Sequence, residues 1–153
     1  MNRREKEALL REQLREGLSH LEQSIDLLDY SHRKCSRSRP ARGRLSPSQL
    51  ESWEAFCARF ARASDLPIQK VFTTLFLLLK EPQAAIIDRI QRAEKLGLIR
   101  SADTLLEIRD VRNQIAHEFA EEDLIEVFKS VRQLTPALRK AAAQTLAFAR
   151  SRF

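Results

Sequence analysis

The chain has 153 residues, 43% of them apolar and 31% charged, with three glycines, and it carries a net charge of +6 at pH 7. That length suits one domain able to bury about two thirds of its unfolded surface, and the abundance of Ala, Leu, Glu, Arg and Gln points to an all-α fold. No run of eighteen apolar residues and no charged-then-apolar leader is present, so neither a membrane span nor secretion is indicated and a cytoplasmic protein is expected.

The first predicted helix runs over about residues 3–31, with Leu14, Leu18, Leu21, Ile25 and Leu28 at alternating spacings of four and three, a seam that packs on other helices. A basic flexible loop over 33–47 follows. Arg33, Lys34, Arg37, Arg39, Arg42 and Arg44 bring six positive charges with no acid among them, so this stretch accounts for the whole net charge. Such a patch suits an anionic partner such as RNA, with Arg37, Arg39, Arg42 and Arg44 as candidate contacts, or serves only solubility. It contains no aromatic residue to stack on bases. Cys35 lies among these cations, which can lower a thiol pKa, or it is an ordinary loop thiol; Cys35 and Cys57 form neither a disulfide framework nor a metal quartet.

Ser48 is a candidate cap for a helix to about Arg62 with Trp53, Phe56 and Phe60 on one side, and Ser64-Asp65 before Pro67 signals the next start. From Pro67 to Lys80 the pattern is apolar nearly all round, which predicts the most buried helix. Pro82 then opens a helix that Gly97 closes, with Ile86, Ile87, Ile90 and Ala93 inward. Ser101 caps a helix ending in Arg112-Asn113-Gln114-Ile115-Ala116-His117, and a last helix begins after Phe119, with Thr135-Pro136 as a kink or break. The whole reads as an elongated antiparallel bundle of five to six helices over 1–153, with Trp53 and the phenylalanines in the core.

The candidate chemistry lies on the penultimate long helix. At about 100° per residue, Leu105, Ile108, Val111, Ile115, Ala116 and Phe119 span an apolar arc of roughly 140° with Arg112 in its middle. A guanidinium there needs an occupant: a phosphate, a carboxylate, or a cleft shared with a second subunit. His117 lies about 140° round the helix and about 7.5 Å along it, with Arg109, Asn113 and Ala116 between them in angle. A cation near an imidazole suits attack on a phosphodiester. The structural alternative pairs Arg112 with a carboxylate such as Glu54 or Asp88 and leaves His117 at the negative end of its helix. No metal or other cofactor is expected, since Glu-x-x-His, Cys/His clusters and Gly-rich phosphate loops do not occur.

Arg112-Asn113 followed by His117, on the penultimate long helix of a small all-α chain, resembles the HEPN superfamily, and more narrowly the HepT type of ribonuclease toxin. Those proteins are also described as nucleotidyltransferase substrate-binding proteins and are encoded beside a minimal nucleotidyltransferase (MNT) antitoxin. The likeness covers roughly residues 5–150. It implies Arg112 and His117 as the catalytic pair, Asn113 as an orienting polar residue, a homodimer whose motif helices share a cleft, metal-independent RNA cleavage, and neutralisation by the MNT partner. Phe119 stands where toxins of this type have a tyrosine that accepts adenylyl groups. A phenyl ring has no hydroxyl to modify, so an antitoxin would inhibit by binding or through another residue such as Tyr30. The remaining readings are a non-catalytic subunit presenting nucleotide or RNA to a nucleotidyltransferase, with Arg112 as anion anchor, and a helical adaptor that binds only protein.

Overall fold

In the computed structural model, residues 1–38, 43–117 and 121–153 are described, and every regular element among them is helical. None of these helices is long and apolar enough to cross a membrane.

Helix α1 (Arg3–Arg37) is capped by a reciprocal pair in which Asn2 Oδ1 accepts the Glu5 amide at 2.9 Å and the Glu5 carboxylate accepts the Asn2 amide at 2.8 Å. Its seam packs as its spacing requires: Leu14, Leu18, Leu21 and Leu28 are buried and Ile25 is partly so. The helix continues well past its predicted end. Arg33, Lys34 and Arg37 therefore stand on its last turns instead of in a loop, where cations oppose the negative end of the helix dipole. Cys35, carried inward by the same extension, is fully buried, and burial pushes its thiol up to about 11, with Lys34 only partly offsetting this. Desolvation thus outweighs the neighbouring cations, and Cys35 is a buried helical thiol, neither cation-activated nor in a loop.

Helix α2 (Pro47–Leu66) starts earlier than expected, capped by Ser46 and not Ser48: the Ser46 hydroxyl accepts the Gln49 amide at 3.2 Å, and Pro47 takes the first helical position, where its missing N–H is no loss. Pro67 does not begin a new helix. The chain widens into a π turn (Pro67–Val71) and runs directly into α3 (Phe72–Leu78), making one rod. The wider winding absorbs the N–H that proline lacks, and the burial of Ile68, Val71, Phe72, Leu75 and Phe76 holds it in place. Arg89 of the next helix donates to the Ile68 carbonyl within this turn at 2.9 Å.

Helix α4 (Ile86–Leu96) begins four residues after Pro82, without a side-chain cap, and Ile87 is exposed rather than inward; Ile90 and Ala93 are buried as expected. It ends at Gly97 in the left-handed conformation, φ 87°, with the Leu98 amide bonded to the Ala93 carbonyl at 2.9 Å. Ser101 caps α5 (Ala102–His117), its hydroxyl accepting the Thr104 amide at 3.2 Å. Helix α6 (Glu121–Arg152) passes through Pro136 unbroken. The Thr135 hydroxyl donates to the Val131 carbonyl at 2.7 Å there.

Residue pairs give the packing directions. His32 meets Phe56, Ser31 meets Arg59 and His20 meets Lys70, so the α2–α3 rod runs antiparallel to α1. Asp29 meets Arg139 and Glu22 meets Arg150, so α6 does the same. Thr145 and Gln144 of α6 donate to the Leu98 and Gly97 carbonyls, fixing the start of α5 against α6. One apolar cluster takes side chains from all of these helices, with Phe56, Phe60, Phe72 and Phe76 among its fully buried members and Trp53 stacked on Phe128. Trp53, Phe56, Phe60, Phe72, Phe76 and Phe128 are core, as their helical spacing predicts, while Phe148 and Phe153 are partly buried and Tyr30 is exposed.

Candidate active site

Helix α5 buries Leu105, Ile108 and Val111 and places Arg112 at the edge of that face, half-buried. The occupant its guanidinium requires is Asp65, on the last turn of α2. Nε lies 2.9 Å from Oδ1 and 3.0 Å from Oδ2, and Nη2 lies 2.9 Å from Oδ2. This two-point grip raises the Arg112 pKa further above its ordinary value, first through the hydrogen bonds and then through the Asp65 charge. Glu54 and Asp88, the carboxylates suggested by the sequence, are both exposed.

The pairing does not seal the arginine. Its side chain remains 31% exposed and that of Asp65 23%, and among the described residues no partner takes the protons of Nη1. Asp65 therefore fixes one edge of the guanidinium fork and leaves the other available to an anion.

Beside it runs a second stripe. Arg109, Asn113 and His117 follow at successive spacings of four, so they line up on one side of α5, about 40° apart in succession. Asn113, Ala116 and His117 are exposed and Arg109 is half-buried. Ala116, one turn beyond Arg112, is small enough to leave the space between guanidinium and imidazole open. His117 lies in the last described turn of α5.

The loop cations divide. Arg37 is an exposed residue of α1 and Arg44 is exposed before α2, whereas Arg39 and Arg42, like Phe119, lie outside the described residues. The residue that sequence reasoning missed is Asp65, which looks like a helix-start signal next to Pro67. A usable signal exists: Asp65 is the one acid between Glu54 and Glu81, hence the one carboxylate that this stretch of chain can offer to a cation packed against it.

Compared with known protein families, with curated proteins and with solved structures, the chain matches none.

Proposed function

We propose that this protein is a metal-independent endoribonuclease of the HEPN type, the toxin half of a HEPN/MNT pair, acting as a homodimer whose α5 helices border a common cleft. The observation that carries the reading is the arrangement on α5: an exposed Asn113–His117 stripe beside a guanidinium that Asp65 holds by one edge while 31% of its side chain stays open.

In the reaction, the 2'-hydroxyl of RNA loses its proton to the imidazole of one His117 and attacks the adjacent phosphorus. The bond from phosphorus to the 5'-oxygen breaks, and that oxygen takes a proton from the partner subunit's His117 in its imidazolium form. Products are a 2',3'-cyclic phosphate and a 5'-hydroxyl. Histidine suits both roles because its ordinary pKa is about 6.5. One imidazole cannot be acid and base in a single step, and two-fold symmetry supplies the second. Arg112, through Nη1, donates to the phosphoryl oxygens as charge builds on them, and Asn113 orients the imidazole or the phosphate. Removing Arg112 or His117 abolishes cutting; cutting that persists in both variants refutes the reading.

One observation favours a second reading, a non-catalytic subunit that presents RNA or nucleotide to an MNT-type partner. Asp65 already occupies two donor positions of Arg112, as a purely structural arginine would have it. In that case the protein binds RNA without turnover, and the Arg112→Ala variant loses binding and no activity.

A further inference from the structure

Away from α5, the C-terminal turns of α1 and the middle of α6 enclose a cleft of about 430 Å³ bordered by His32, Ser36, Lys129, Arg132, Gln133 and Pro136. Five of these six side chains can donate a hydrogen bond, two are cations, and none is an acid. Arg132 is half-buried and has no ion-pair partner among the described residues. Lys129 contacts Glu126 at 3.1 Å, but both side chains are largely exposed, so this pair yields readily to a stronger anion. The nearby carboxylate, Asp29, is already engaged by Arg139 at 3.0 Å and Arg33 at 3.7 Å.

Two further features give the cleft its character. The His32 pKa is lowered, first by burial and next by Arg139, with Arg132 adding to this and Asp29 opposing it, so the field at the imidazole is cationic on balance. Pro136 has no N–H, so the carbonyl of Arg132, four residues back, lacks its helical donor on the turn that borders the cleft. A cationic hollow lined by hydrogen-bond donors matches a phosphate. Arg33 and Arg37 lie on the neighbouring side of α1 with Tyr30 and Lys34, all exposed, and continue the positive surface along the helix.

We propose that the cleft between α1 and α6 is a phosphate subsite for the backbone of single-stranded RNA: Arg132 and Lys129 neutralise a phosphate, and Ser36 and Gln133 donate to it. The assignment rests on the reading that RNA is the ligand, and it is separable from cleavage at His117.

The test uses a fluorescent single-stranded RNA oligonucleotide and the His117→Ala protein, so that the probe stays intact. Binding is titrated at several salt concentrations in that background and with Lys129→Gln/Arg132→Gln added, each protein being checked for unchanged circular dichroism and melting. The added pair is expected to weaken binding about tenfold at 0.1 M salt and to make the salt slope shallower by about 0.7 for each phosphate that is no longer neutralised. Ser36→Asp, which puts an acid into the hollow, is expected to weaken it at least as much. Removing the same charge at exposed Lys6 and Lys95 is expected to change affinity less than twofold. An affinity and slope unmoved by the cleft pair, or moved equally by the Lys6/Lys95 pair, overturns the subsite. Weakened binding in a protein whose wild type cuts no RNA leaves the subsite standing and removes the cleavage reading; cutting by wild type with unmoved binding does the reverse.

Discussion

Replacing Asp65 by alanine separates the interaction that holds Arg112 from everything else in the fold. Hydrogen bonds to charged groups contribute about 1.5–3 kcal/mol each, and removing one partner of a buried pair costs about 3–5 kcal/mol. With 31% and 23% of the two side chains exposed, the orphaned guanidinium is partly rehydrated, which brings the expected cost of Asp65→Ala to about 2 kcal/mol, between the buried and surface limits. At about 3 °C per kcal/mol for a domain of this size, Tm falls by about 6 °C. A double-mutant cycle with Arg112→Ala by urea unfolding isolates the pair, and a coupling of about 1.5 kcal/mol is expected, well outside the roughly 0.3–0.5 kcal/mol within which independent sites add. Additive losses refute the view that Asp65 is what holds the guanidinium. Asp65→Asn keeps the shape but turns one acceptor into a donor aimed at the guanidinium. In an active enzyme it lowers kcat more than it raises KM, because the phosphate-facing edge of Arg112 is still present but no longer held in position.

Both cysteines should be inert in the native protein: burial pushes Cys35 up to about 11 and Cys57 up to about 12, so Ellman's reagent at pH 8 finds two thiols per chain only after denaturation, and rapid native labelling contradicts their placement. His32, facing Phe56, Asp29, Arg132 and Arg139, has a folded pKa below its unfolded value. Between those two values the unfolded chain binds more protons, so stability falls as pH drops below about 6.5 and levels off beneath the folded pKa. His32→Gln removes this component, and identical Tm-against-pH curves for the two proteins refute it. Gly17 lies in mid-helix, and a Cβ added there meets Val71 Cγ2 at 3.6 Å and Lys70 Cγ at 3.7 Å, ordinary van der Waals distances. Gly17→Ala is therefore expected to stabilise by about 0.5–1 kcal/mol, and a loss of stability in urea unfolding counts against the α1–π-turn packing.

The elements legible in sequence are those whose signals are local. The Leu14–Leu28 seam, the left-handed Gly97 and the Ser101 cap each act within a turn or two of chain, and each appears where its spacing places it. The misreadings share a cause. Pro67 reads as a new helix start and Pro136 as a kink or break, yet neither interrupts its helix, because the apolar residues on either side gain more from continued burial than one missing hydrogen bond costs. Helix α1 outruns its predicted end because Ser31 and Cys35 extend the buried side at spacings of three and four beyond Leu28, a continuation masked by the cations between them. On α5, the position of Arg112 in the apolar arc announces that it needs a partner. Which partner is a tertiary fact, settled by the crossing of α5 over the end of α2, and no periodicity within α5 encodes it.

RNA cleavage by the purified protein in EDTA, wild type against His117→Ala, reads the central claim directly. Fragments with cyclic phosphate ends from wild type and none from His117→Ala are the expected result; equal cutting by both proteins, or intact RNA with both, contradicts it.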